Sequence, residues 1–274
     1  TSCWITAHDA DTGEELWRTN TVPKICEPNG ESWGDVPNEQ RRGGSAWMPA
    51  SFDPELNLIF IGVAVPIPWG EIQRGTRGGD VLYTNSTLAL DAETGEIEWY
   101  FQYIPAGNWD QDHPFERLIV ETEVTPDADA VSWMNPNIAS SERRKVITGI
   151  PGKPGIVWTL DAATGDFLWA TETNYQNIIV GVDVEGRKGI TNPEIDITEI
   201  GQQKLVCPTT QGGINWNSVG YSPQTNSLYT PTNNTCMNFA LRPVEPTVGL
   251  HHASARSSVD IGPEDTGQVG QFAS

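Results

Sequence analysis

Apolar positions in this chain come in short runs, closed again and again by Gly, Pro, Asn or Asp, and no long amphipathic stretch is present. That is the pattern of β-strands joined by tight turns. One such pattern occurs three times, as Asp-x-x-Thr-Gly-x-x-x-Trp. The copies are Asp9, Thr12, Gly13 and Trp17; Asp91, Thr94, Gly95 and Trp99; and Asp161, Thr164, Gly165 and Trp169. An apolar run precedes each Asp and another surrounds each Trp. The Asp caps turn amides and the Gly takes a positive φ that other residues resist, so each copy predicts a β-hairpin near 5–18, 87–100 and 157–170. A single hairpin cannot bury its own apolar face. Recurrence therefore predicts stacked units, an all-β propeller.

A second repeat is offset from the first: Ser51 to Gly62, with Asn57 at its turn, matches Gly220 to Pro231, with Asn226. The spacing of the first repeat is uneven, which leaves long insertions between units where a site can be built. The chain starts partway into one unit and stops partway into another, so the expectation is a segment of a longer ring covering 1–274. Residues 239–274 read as a polar tail without a repeat hairpin.

Composition sharpens this. With 27 Gly, 20 Pro and 11 Trp the chain suits turns and aromatic packing rather than helices. The net charge of −20, from 36 acidic and 16 basic residues, argues against nucleic acid or an anionic membrane surface as partner. No run approaches the ~18 apolar residues of a bilayer span, and no charged-then-apolar leader precedes the first unit. The cysteines, Cys3, Cys26, Cys207 and Cys236, form two sequence-local pairs. Local pairing suggests Cys3–Cys26 and Cys207–Cys236 disulfides and an oxidising compartment; other connectivities, or four buried thiols, stay open.

Four segments carry candidate chemistry. In Gly107 to His113, Asp110 and Asp112 point to the same side of an extended chain. Such a pair suits a hard cation or a general base, and equally a solvated acidic loop. Gly43-Gly44-Ser45-Ala46-Trp47 offers glycines for close backbone approach and an indole that can stack on a flat ligand, or pack between units. Gly152-Lys153-Pro154-Gly155 puts a cation on a turn, and Gly212 to Asn217 joins glycines to Asn215 and Trp216. Each is weak alone; their recurrence at turns of separate units gives them weight, because such turns converge near a propeller's axis.

At this point the residues resemble a known family. Leu82 to Gly95, the following Trp99-Tyr-Phe-Gln and Trp109-Asp-Gln-Asp, Gly152-Lys-Pro-Gly-Ile, the Cys207 to Trp216 run and Asn234-Thr-Cys-Met237 are similar to the quinoprotein alcohol dehydrogenases. The resemblance implies an eight-bladed periplasmic propeller that uses pyrroloquinoline quinone (PQQ) with Ca²⁺ or a lanthanide ion. Position by position, it implies Trp47 as the floor under the quinone, with Ser45 beside it. Asp110 is implied as catalytic base and metal contact, Asp112 as the added aspartate of lanthanide-using members, and Lys153 as the cation at the quinone oxygens. Asn215 and Trp216 are implied as cofactor contacts, and Cys207–Cys236 as a family disulfide. Two departures weaken the metal site: Val65 stands where the family has a metal-binding asparagine, and the family's metal-binding glutamate would fall before Thr1.

The implied reaction is oxidation of a small alcohol to an aldehyde, with electrons leaving to a cytochrome c type acceptor; a homodimer is one implied assembly. The rival is a non-catalytic propeller scaffold sharing the Asp-x-x-Thr-Gly-x-x-x-Trp repeat. A scaffold has no reason to keep Trp-Asp-x-Asp, the Gly-Lys turn and Gly-Gly-x-Asn-Trp together.

Overall fold

The computed structural model describes residues 3–76, 78–138, 141–244, 255–261 and 269–273. A first hairpin pairs β1 (Trp4–His8) with β2 (Glu15–Asn20). Next, β3 (Ser51–Asp53), β4 (Leu58–Gly62), β5 (Ser86–Asp91) and β6 (Ile97–Gln102) pair as an antiparallel meander. A further sheet contains β7 (Leu118–Val124), β8 (Trp133–Met134), β9 (Glu142–Gly149), β10 (Ile156–Asp161) and β11 (Phe167–Glu172), in the order β7-β9-β10-β11-β8. The hairpin of β12 (Ile179–Asp183) and β13 (Lys188–Thr191) joins the meander through a parallel contact of β13 with β6. After them come β14 (Gln203–Val206), β15 (Gly220–Ser222), β16 (Ser227–Asn233), β17 (Thr235–Leu241), β18 (Ala255–Ile261) and β19 (Gly270–Ala273). They form two sheets, β14-β17-β18 and β15-β16-β19. Successive antiparallel sheets of this kind are the blades of a β-propeller.

All three repeats fold as hairpins for one local reason. Asp9 Oδ1 accepts from the Thr12 amide at 2.7 Å, Asp91 Oδ1 from the Thr94 amide at 2.8 Å and Asp161 Oδ1 from the Thr164 amide at 3.1 Å. The glycine that follows closes the turn with φ of 75°, 73° and 74° in the three copies. The tryptophan then joins neighbouring units. Trp17 Nε1 donates to Ala92 O at 3.1 Å, and Trp99 Nε1 donates to Ala162 O at 3.2 Å, each across to the next copy's turn. A Cβ on Gly95 would lie 2.4 Å from the Trp17 ring, and one on Gly165 would lie 2.4 Å from the Trp99 ring. Each glycine therefore supplies both the turn geometry and a seat for the preceding indole.

Between the two larger sheets lies the main core, where Phe60, Phe101, Trp158, Leu160 and Phe167 are buried. Trp158 sits 5.5 Å from Phe101 and 5.8 Å from Phe167. These residues occupy the inward positions of their strands, as period-two alternation requires.

Two expectations change. The stretch 239–274 is not simply a tail: β17 pairs along its length with β18, and β16 pairs with β19. Its remaining residues, 245–254, 262–268 and 274, lie outside the described residues. Between β4 and β5 the chain also forms a short helix, α1 (Glu71–Arg74). Finally, Cys207 and Cys236 form a disulfide, but Cys3 and Cys26 are free thiols. Cys3 is fixed beside Thr21, which donates to its carbonyl, while Cys26 is exposed in a turn that Glu27 pins through the Lys24 amide. Closeness in sequence does not aim two thiols at each other.

Candidate active site

The four loops meet. Lys153 Nζ lies 2.9 Å from Asp110 Oδ2 and 2.8 Å from Asp112 Oδ2, so one ammonium bridges both carboxylates. The lysine side chain is 6% exposed, against 18% for Asp110 and 13% for Asp112, which places the bridge just beneath the surface.

A continuous ladder of backbone hydrogen bonds, bridged at one rung by the Asp112 carboxylate, runs through the same place. Ala64 N donates to Ser45 O at 2.9 Å, and Gly44 N donates to Val65 O at 3.0 Å. Val65 N donates to Asp112 Oδ1 at 3.2 Å. Lys153 N donates to Asp112 O at 2.9 Å, and Gly213 N donates to Lys153 O at 2.7 Å. Beneath the ladder, Phe115, Ile150 and Ile214 form a small buried cluster with Met48 packed on it. Trp47 stands edge-on to Phe115, ring centres 6.0 Å apart at 79°, and is 47% exposed.

The other sequence-predicted residues sit further out. Asn215 is half-buried and donates from Nδ2 to Gln211 O at 3.0 Å, two residues beyond the amide that holds Lys153. Trp216 is 66% exposed. Ser45 joins the ladder through its backbone carbonyl. Among the described residues, no group of three or more His, Cys, Asp or Glu side chains gathers to hold a metal ion.

Burial raises the Asp110 carboxyl to about 6; the Lys153 charge opposes this and the Asp112 charge adds to it. A carboxyl poised there exchanges a proton near neutral pH, which an ordinary aspartate does not. His113 behaves in the opposite way. It is stacked on Tyr103 at 4.9 Å, and burial pushes its imidazole down to about 3, leaving it neutral. Its carbonyl accepts from Arg117 Nη2 at 2.8 Å, and Arg117 Nε reaches Thr87 Oγ1 at 2.7 Å. The aspartate loop is thus anchored on β5.

Two supporting residues escape a reading of sequence. Gln111, fully buried between the two aspartates, donates from Nε2 to Pro208 O and Thr209 O, each at 3.2 Å. It ties the aspartate loop to the segment that begins at the disulfide. Asn174 donates to Pro154 O at 3.2 Å, and its Oδ1 fills the space where Gly155 or Gly213 would carry a Cβ. The alternation of side chains hints that Gln111 faces opposite to its neighbours; nothing in the sequence marks Asn174.

Known proteins resemble this chain in sequence and in fold. The family described as "PQQ: Glucose/ethanol/alcohol dehydrogenase, beta-propeller domain" matches residues 1–175. The chain is 32% identical to the quinohemoprotein alcohol dehydrogenase ADH-IIG of Pseudomonas putida, over 83% of its own length and 31% of that protein's. It is 29% identical to the putative dehydrogenase XoxF of Paracoccus denitrificans, over 98% of its length and 46% of that protein's. The solved structure of ADHIIG from Pseudomonas putida superposes with a TM-score of 0.78 at 29% identity, covering 93% of this chain and 37% of that one. A europium-containing methanol dehydrogenase shares the fold, with a TM-score of 0.80 at 24% identity over 99% of this chain and 47% of that one. The chain thus spans between about a third and about half of the length of the relatives it matches. With its docked tryptophan hairpins and a family match over 1–175, the chain belongs to the glucose/ethanol/alcohol dehydrogenase β-propeller family.

Proposed function

We propose that this chain builds one side of the site of a PQQ-dependent alcohol dehydrogenase, with Asp110 as the base that takes the alcohol's hydroxyl proton. The observation that carries the reading is the buried Asp110–Lys153–Asp112 bridge at the meeting of four loops, with Asp110 poised near neutral.

The residues present fit a flat anionic quinone. Trp47 leaves about half of its indole uncovered, which suits stacking on a planar ring, and Lys153 is a cation fixed nearby in the ladder. When bound, pyrroloquinoline quinone supplies the two-electron redox chemistry. Lys153 fixes Asp110 through Oδ2 and so orients the carboxyl that accepts the hydroxyl proton. Asp112, held by the Val65 amide, in turn fixes Lys153. The small cluster under Trp47 excludes water from the back of the site.

A resident Ca²⁺ or lanthanide ion does not fit the described residues. Such ions take several oxygen ligands, and the two aspartates here are already engaged by an ammonium. No step is therefore assigned to a metal. A small alcohol as substrate and a cytochrome c type electron acceptor complete the proposal, and the Cys207–Cys236 disulfide fits an oxidising, periplasmic setting.

The test is dye reduction by the full chain with added PQQ and short primary alcohols. Asp110→Asn should lower kcat/KM by about 10²–10⁴-fold while leaving quinone binding in place. Unchanged turnover in that variant removes Asp110 from the reaction.

A further inference from the structure

The aspartate pair suggests a cation site, yet a cation of the chain's own is already there. Lys153 Nζ sits within 2.9 Å of one oxygen of each carboxylate. The lysine is not poised to swing away. Its amide donates to Asp112 O, its carbonyl accepts from Gly213 N, and its stem packs on Gly212, where an added Cβ would lie 3.0 Å from the lysine Cβ and Cγ. The second oxygen of Asp112 faces the Val65 amide at 3.2 Å, an N–H donor directed where a metal would need a lone pair. The side chain of Val65 offers no ligand at all.

We propose that Lys153 is the resident cation of this site: its ammonium occupies the position between Asp110 and Asp112 that a hard metal ion would need, and such an ion enters only when the lysine is removed. The ammonium has three N–H donors and the aspartates take two, so one remains for an oxygen of a bound ligand. A metal placed between the same two oxygens would meet a like charge at close range in a partly dry site, where repulsion is poorly screened. Asp112 is then a positioning residue that holds the lysine, rather than a metal ligand. This deepens the enzyme reading by identifying the cation of the same site, but its test requires no turnover.

The test is titration of the full chain with Tb³⁺, read as luminescence sensitised by nearby indoles such as Trp109. The site-specific signal is the part lost on Asp112→Asn, which separates it from the rest of an acidic surface. Lys153→Met should bind Tb³⁺ at this site with a Kd at least about ten-fold below the Tb³⁺ concentrations at which the unaltered chain still shows no site-specific signal, the scale on which groups around a metal site tune affinity. Equal affinity in the two proteins, or no binding in Lys153→Met, overturns the proposal. A second measurement needs no lysine substitution: reductive methylation of Lys153 in the unaltered chain, mapped by mass spectrometry. Its rate should stay the same when Tb³⁺ is added; acceleration means that the ion displaces the lysine, and the proposal fails. Quinone binding followed in the same samples keeps the two ideas apart, since its loss would sink the dehydrogenase reading and leave the lysine result standing.

Discussion

Asp110 carries opposing influences that decide how the site should respond to pH. Burial dominates and raises its carboxyl to about 6, against the pull of Lys153. Only the ionised form can accept a proton, so kcat/KM should climb as pH passes about 6 and level off above it, as initial rates from about pH 5 to about pH 8 will report. A flat profile there would mean that Asp110 does not titrate in catalysis. Stability runs the other way. Because the folded carboxyl binds its proton more tightly than the unfolded one, the native state holds the extra proton between the ordinary aspartate range and about 6. This group's contribution to stability is therefore largest at the acid end of that window and declines as pH rises through it. Its neighbour Gln111 should matter for a different reason. Gln111→Leu would strand the Pro208 and Thr209 carbonyls, which accept its two hydrogen bonds in a fully buried place. The expected loss is about 1–3 kcal/mol in urea unfolding. At this scale the sequence was informative about the charged groups of the candidate site and silent about their supports. Asp110, Asp112 and Lys153 announce themselves as charges beside turns. Gln111 and Asn174 take their roles from partners 97 and 20 positions away.

Among the elements, the three Thr-Gly turns offer a controlled comparison. Gly13, Gly95 and Gly165 share one backbone conformation, but their surroundings differ: an added Cβ at Gly13 meets nothing within 4 Å, while at Gly95 and Gly165 it meets an indole at 2.4 Å. Gly13→Ala should therefore cost only the left-handed penalty, about 1–2 kcal/mol. Gly95→Ala and Gly165→Ala should add an overpacking cost of about 1–3 kcal/mol by pushing out Trp17 or Trp99. Urea midpoints of the three variants check this, and equal losses would show that the indoles are not held on those turns. The hairpins themselves were legible because Asp, Thr and Gly act within a few residues of one another. The strands β18 and β19 were not: Ala255–Ile261 is a largely polar run, and β19 lies far from its partner β16. The Cys3–Cys26 pairing failed for a related reason, since spacing says nothing about where a thiol points.

For the molecule as a whole, the site exists because turns from separate sheets arrive at one place, an outcome that recurrence suggested and only three dimensions could supply. The Cys207–Cys236 disulfide helps hold that convergence, since the segment it opens receives Gln111 at Pro208 and Thr209. The bridge closes a loop with a sequence separation of 29, for which the chain-entropy account gives about 3–4 kcal/mol of stabilisation. The Cys207→Ala/Cys236→Ala double variant should lose roughly that much in urea unfolding. The consequence should reach the site as well. With the segment loosened, the Gln111 contacts weaken, and the aspartate loop keeps its hold on Lys153 but loses a buried anchor. Turnover in the variant should then fall at a temperature where circular dichroism still shows a folded chain. If activity instead tracks the folded fraction alone, the bridge stabilises the propeller without positioning Asp110, and the link through Gln111 carries no functional weight.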